Sequence, residues 1–105
     1  MPNSQFDRRA TLQSDGTVQV TGTLTVAEPV EDVEFRFMLV QDNVVVTGTG
    51  HGMGGGWSGA TAPGQGPLDT GPVLAIGLAV LARKEPGGGL GYETFTWSEQ
   101  IELER

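Results

Sequence analysis

The chain has 105 residues, among them 17 glycines, 13 acidic and 6 basic side chains and no cysteine. This length suits one domain with a single core, and the absence of cysteine excludes disulfides, thiol nucleophiles and thiolate metal sites. The formal charge of −7 would repel nucleic acid and anionic lipid, so we expect neither as a partner.

The termini and the apolar runs carry no targeting signal that we recognise. No apolar stretch follows the charged residues near the N-terminus, so we expect a cytoplasmic protein, or a secreted one if a leader has been removed. The longest apolar run lies at 72–82 and is well short of the about 20 residues that a membrane-spanning helix needs. We therefore expect no membrane association.

The first predicted elements form a β-hairpin. Residues 17–26 alternate valine and leucine with threonine and glutamine, the pattern of a strand with one buried face. The turn residues Ser14, Asp15 and Gly16 precede it. Residues 5–13 are therefore predicted to pair with it as the first arm of the hairpin.

A second hairpin is predicted between residues 33 and 49. Residues 33–41 alternate, and their core face carries large apolar side chains: Val33, Phe35, Phe37 and Leu39. The turn at 41–43 contains Asp and Asn, which tolerate the left-handed conformation that a two-residue hairpin requires. Residues 44–49 form the return strand.

The stretch 50–72 is predicted to be a long glycine-rich loop, with a short strand near 57–60. Its glycines match the spacing of a dinucleotide-binding turn, but no helix is predicted to follow, so we attribute the match to chance. Trp57, His51 and Met53 are the clustered candidates for binding a ligand. The indole of Trp57 either closes an end of the core, which we favour, or anchors a partner or a sugar ring.

Two long strands complete the pattern. Residues 73–83 are apolar at nearly every position, which is typical of a strand covered on both faces. Residues 92–103 alternate again, and Glu99 has the parity of the apolar positions. We favour a β-bulge near 98–100, or a strand that leaves the core there, over a buried carboxylate, because an unpaired buried charge is costly.

These patterns assign a core and an outer face. The predicted core residues are Leu24, Phe35, Phe37, Ile76, Leu78, Phe95, Trp97 and Ile101. This facing leaves an apolar outer face made of Met38, Val40, Val73, Ala75, Gly77, Ala79 and Leu81. A solvated face would be polar, so we expect a cover. We favour a second copy in a two-fold dimer, with another protein or the loop carrying Trp57 as the alternatives.

The strand count indicates an all-β fold. We expect an antiparallel two-sheet sandwich of six or seven strands with immunoglobulin-like architecture, or alternatively a small up-and-down or partly open β-barrel. One histidine and no spaced carboxylate pair favour neither an enzyme nor a cofactor. The acidic residues Glu28, Glu31, Asp32 and Glu34 lack the spacing of a calcium loop, so no metal is expected.

The functional expectation follows from these exclusions. We predict a non-catalytic protein-interaction or structural domain that acts through a sheet face and the glycine-rich loop. The alternative is a small-molecule or carbohydrate-binding β domain that uses the loop around Trp57.

Overall fold

The computed structural model describes residues 3–26, 30–52 and 55–105, and all of their regular structure is β. The all-β fold is therefore confirmed. The strands in chain order are β1 (Asn3–Phe6), β2 (Arg9–Leu12), β3 (Val18–Thr25), β4 (Asp32–Gln41), β5 (Val44–His51), β6 (Gly56–Thr61), β7 (Gly71–Lys84) and β8 (Leu90–Glu104). None of these described residues belongs to a helix that could cross a membrane.

The described strands close into a barrel. Antiparallel pairing runs from β8 through β7, β4 and β5 to β6, and β6 pairs in turn with β3. β3 pairs with β2, which returns to β8 in parallel. Because β1 and β2 pair with the same edge of β3, they act as one bent strand and the closed ring contains seven strands. This arrangement agrees with the small barrel that the sequence left as an alternative.

Two turns form as their residues predict. Gly16, between β2 and β3, has a φ of 87°, and Asp42, between β4 and β5, has a φ of 52°. The Asp15 carboxylate accepts hydrogen bonds from the hydroxyl and the backbone N–H of Thr17. These two bonds, the hydroxyl contributing more, lower the pKa of Asp15 from its ordinary value of 3.8.

Aromatic rings fill the interior of the barrel. They belong to Phe6, Phe35, Phe37, Trp57 and Trp97. The Trp57 ring stacks on Phe35 with centroids 4.5 Å apart and an angle of 12° between the planes. It meets the ring of Trp97 edge-on at 6.2 Å. Contacts of this geometry add to the stabilisation from burial.

Glycines within the strands make room for these rings. Several cross-strand pairs match a glycine with a ring, among them Gly48 with Phe37, Gly22 with Trp57, and Gly77 with Trp97. A methyl group at Gly77 would lie 2.4 Å from Cζ2 of Trp97, and one at Gly22 would lie 2.5 Å from Nε1 of Trp57. Much of the glycine content therefore serves close packing in strands and not loop flexibility.

The predicted facing of β7 is wrong. The residues assigned to its outer face, Val73, Ala75, Gly77, Ala79 and Leu81, point into the barrel and are buried. Ile76 and Leu78, assigned to the core, point outward with Leu74 and Val80. The physical reason is volume, because the rings already fill the interior and leave space only for small side chains at the centre of β7.

The predicted core is otherwise buried. Leu24, Phe35, Phe37 and Ile101 are each at most 5% exposed, while Phe95 and Trp97 are partly buried and pack against that core.

The predicted bulge in β8 is also wrong. β8, which the structure describes in full, keeps an unbroken register with β7 from Leu90 to Leu103. Glu99 therefore points inward, and its Oε2 accepts a hydrogen bond from the backbone N–H of Phe6 at 2.6 Å. β1 pairs with β3, and no backbone pairing joins it to β8 among the described strands. The Glu99 carboxylate therefore links β8 to β1 by accepting the bond from this backbone N–H.

The stretch 50–72 is not one continuous loop. β5 extends to His51 and β6 occupies Gly56–Thr61, at the position of the predicted short strand. Beyond β6, the backbone N–H of Thr47 donates to Oε1 of Gln65 at 2.9 Å, and Nε2 of Gln65 donates to the carbonyl of Thr47 at 2.8 Å. The Gln65 amide thus continues the pairing of β5 and anchors the segment that follows β6.

Candidate functional site

The structure does not bring the predicted ligand-binding residues together. Trp57 is 4% exposed and stacks on Phe35 inside the barrel, so its indole is not accessible to a ligand. His51 is exposed on β5, with its Nε2 3.0 Å from Oδ1 of Asp32. Met53 lies outside the described residues. A ligand site built around Trp57 is therefore wrong.

A contiguous apolar area lies on the outside of β4 and β7. Register pairs Val40 with Leu74, Met38 with Ile76, Arg36 with Leu78, and Glu34 with Val80. Side chains of both strands form what we call the outer apolar face: Met38, Val40, Leu74, Ile76, Leu78 and Val80. Met38 is 41% and Leu74 44% exposed, and the others are partly exposed. Of the predicted interface residues, Met38 and Val40 belong to this face.

Uncharged polar side chains border the outer apolar face. On β5, Thr47 pairs with Met38, and Thr49 pairs with Arg36. On β8, the bordering residues are Thr94, Thr96 and Ser98, which pair with Val80, Leu78 and Ile76. The face therefore has an apolar centre and a rim that carries hydroxyl groups at these positions, while Val45, which pairs with Val40 and is 53% exposed, extends the apolar area onto β5. An apolar centre with a polar rim is the usual composition of a binding surface.

A groove of about 770 Å³ crosses this face. Its lining includes Met38, Ile76, Leu78 and Ala60, together with the backbone at Gly48 and Gly77. Gly48 and Gly77 contribute only backbone to the outside of the barrel, because a side chain at either position would point inward at Phe37 or Trp97. The side chain of Ala60 is short, so the larger neighbours stand above this floor. The volume is within the range of known ligand pockets, about 300–1,000 Å³.

Among the described residues, Arg36 is the only charged side chain that lines the groove. It forms no ion pair with any other described residue. Glu34, two residues earlier on β4, is the neighbouring acid on the same face, and Asp32 at the end of the strand is bonded to His51. The guanidinium of Arg36 therefore keeps its donors available for a ligand.

Metal binding has no support in the part of the chain that the structure describes. There, no three His, Cys, Asp or Glu side chains lie close enough to hold one ion. Of the acidic turn considered from the sequence, Glu28 lies outside the described residues.

Sequence reasoning missed the outward residues of β7 and the significance of Arg36. Parity placed Arg36 on the outside of β4, but β7 is apolar at both parities and gives no sign of its orientation. A usable signal was the run Ala75, Gly77 and Ala79, whose small side chains match a strand that faces an aromatic core.

Comparisons with known proteins add no information about the function of the outer apolar face. No family model matches the sequence, and none of the curated proteins is similar to it. Among solved structures, the chain is similar to murine CRIg, with 13% sequence identity and a TM-score of 0.47 over 98% of this chain and 96% of that chain. A likeness at this level carries no argument about function.

Proposed function

We propose that this chain is a non-catalytic protein-interaction domain that binds a partner through the outer apolar face. The observation that carries the proposal is the contiguous exposed apolar area on β4 and β7. On β3, by contrast, the outside is polar, and Gln19, Thr21 and Thr23 are exposed. A solvated face of a sheet is normally polar, and contiguous apolar patches mark binding sites.

The size of the face bears on the kind of complex it can form. Six residue steps of about 3.4 Å and two strands of about 4.8 Å give roughly 20 by 10 Å, or about 200 Å². This is a quarter of the about 800 Å² that each partner buries in a stable complex of standard size. A homodimer through this face alone would be weak, so we favour a different protein whose contacts extend to the rim, or to Leu90 and Tyr92 on the exposed β7–β8 hairpin.

We also propose that the barrel has immunoglobulin-like architecture. One side of the barrel contains the neighbouring strands β1, β3 and β6, and the other contains β8, β7 and β4. This strand order is that of the two sheets of an immunoglobulin domain with one strand absent. An experimental structure in which β6 pairs with β4 in place of β3 would contradict this assignment.

Differential capture tests the proposed function. Ile76→Glu puts a carboxylate in the centre of the outer apolar face, and Gln19→Glu makes the same charge change on the outside of β3. We expect a binding protein to be retained from a native lysate by wild type and Gln19→Glu and lost by Ile76→Glu, with all three folded by circular dichroism. Equal retention by the three proteins, or retention of nothing by wild type, would overturn the proposal.

A second candidate function is the binding of a small apolar molecule in the groove, which has a suitable volume. A thermal-shift screen separates the two functions. A metabolite that stabilises wild type but not Ile76→Glu, together with no captured protein, would favour this second function.

A further inference from the structure

We infer that the groove selects a partner segment in which a carboxylate lies next to a large apolar side chain, the carboxylate pairing with Arg36 and the apolar group filling the space over Met38, Ile76 and Leu78. This inference rests on the proposed function, since it names the chemistry of the segment that the outer apolar face would bind.

The charge within the groove opposes the charge of the whole chain. The formal charge is −7, which at long range attracts basic partners. Arg36 is nevertheless the charged group that lines the groove, and the nearest acid on β4, Glu34, is two residues away, about 7 Å along the strand. This separation is within the Debye length of about 8 Å at physiological salt, so Glu34 weakens the positive potential around Arg36. Arg36 is still the charged side chain that lines the groove, and it makes the direct contacts there.

Loss of water from the Arg36 guanidinium on binding favours partners that carry a carboxylate. A partner that covers the outer apolar face removes water from the guanidinium of Arg36. A neutral or basic segment would leave this cation covered and unpaired, which is costly, whereas a carboxylate replaces the lost water with a charge-assisted hydrogen bond. The groove therefore discriminates against partners that are only apolar as well as against basic ones.

The surroundings of Arg36 suit a bidentate contact. Arg36 lies between Thr49 on β5 and Leu78 on β7 in the cross-strand register. A planar guanidinium can donate two parallel bonds to one carboxylate, and the neighbouring threonine adds a hydroxyl donor. Leu78 and Ile76 provide the apolar wall for the side chain next to that carboxylate.

Selection from a random dodecapeptide phage library, with the wild-type protein immobilised, tests the inference without assuming a natural partner. We expect the enriched peptides to carry Asp or Glu within a few residues of a large apolar side chain. Their affinity should fall about tenfold or more for Arg36→Gln, because a charge-assisted bond is lost. It should fall less for Arg36→Lys, which keeps the charge but not the planar fork. The control Arg8→Gln removes an exposed arginine elsewhere and should bind like wild type.

A charge swap provides the positive test. The Arg36→Glu protein should not bind the selected acidic peptide. It should bind a variant of that peptide in which lysine replaces the acidic residue. Enrichment of basic peptides, enrichment of none, or peptides that bind Arg36→Gln like wild type would each overturn the inference. Peptides lost with Ile76→Glu but kept with Arg36→Gln would overturn it while supporting the proposed function. Peptides indifferent to both changes would contradict both.

Discussion

Gly77→Ala tests whether the glycines within the strands serve to pack aromatic rings. The added methyl group would lie 2.4, 2.6 and 2.7 Å from three ring atoms of Trp97, closer than carbon atoms approach. The Trp97 ring has little room to retreat, because the rings of Phe6, Phe95 and Trp57 surround it at centroid distances of 5.3, 5.5 and 6.2 Å. The substitution therefore forces the core to move.

The expected magnitude follows from two opposing effects. Overpacking costs about 1–3 kcal/mol, and the stiffer unfolded chain returns about 0.4–1 kcal/mol. We expect a net loss of about 1–2 kcal/mol, which lowers Tm by roughly 4–15 °C in a domain of this size.

Urea and thermal unfolding followed by circular dichroism measure this loss. Gly56→Ala is the matched control, because its methyl group would meet a single atom, the carbonyl oxygen of Gly22, at 3.9 Å. It should be neutral or stabilising by at most about 1 kcal/mol. A Gly77→Ala protein as stable as wild type would refute the packing role of this glycine.

The remaining predictions concern the orientation of β7, the burial of Trp57 and the pH dependence of unfolding. Ala79→Glu should prevent folding because it buries an unpaired carboxylate, whereas Leu78→Glu should melt within a few degrees of wild type; the reverse order would contradict the facing of β7. Trp57→Ala should cost about 3–5 kcal/mol in urea unfolding, against at most about 0.5 kcal/mol for His51→Ala; equal costs would contradict the burial of Trp57. The lowered pKa of Asp15 means that its ionised form stabilises the fold above its ordinary value of 3.8 and that this contribution is lost as pH falls further. Asp15→Asn should therefore flatten the acid dependence of unfolding, and an unchanged dependence would contradict the cause given for the shift.

Strands with one polar face could be predicted from the sequence, because alternating apolar and polar residues indicate both that a strand is present and which of its faces is buried. β4 is the clearest example, since the inward side chains Phe35 and Phe37 and the outward Arg36 lie where parity placed them. Turns were equally visible, because Gly16 and Asp42 are residue types that adopt positive φ.

The facing of β7 could not be predicted in the same way. Both of its faces are apolar, so parity carries no information, and large side chains such as Ile76 and Leu78 were assigned to the core by size. The decisive fact is that rings from other strands already occupy the interior, and this depends on long-range pairings such as that of Gly77 with Trp97.

The candidate site depended on the same missing information. The glycines around Trp57 in sequence leave two positions open for its indole, an end of the core, which we favour, and a ligand site. The structure buries the ring, and Gly22 on β3 and Gly50 on β5 leave the space in which it lies. The outer apolar face that surrounds Arg36 became apparent only once β7 was oriented.

Site-specific photo-crosslinking measures most directly whether the outer apolar face binds a partner. A benzoylphenylalanine in place of Ile76 lies at the centre of that face, and the same group in place of Gln19 lies on the outside of β3. After irradiation in a native lysate, we predict a discrete adduct with one protein from the Ile76 position and none from the Gln19 position. The absence of an adduct at Ile76, or the same adduct from both positions, would contradict the proposal that this face is the binding surface.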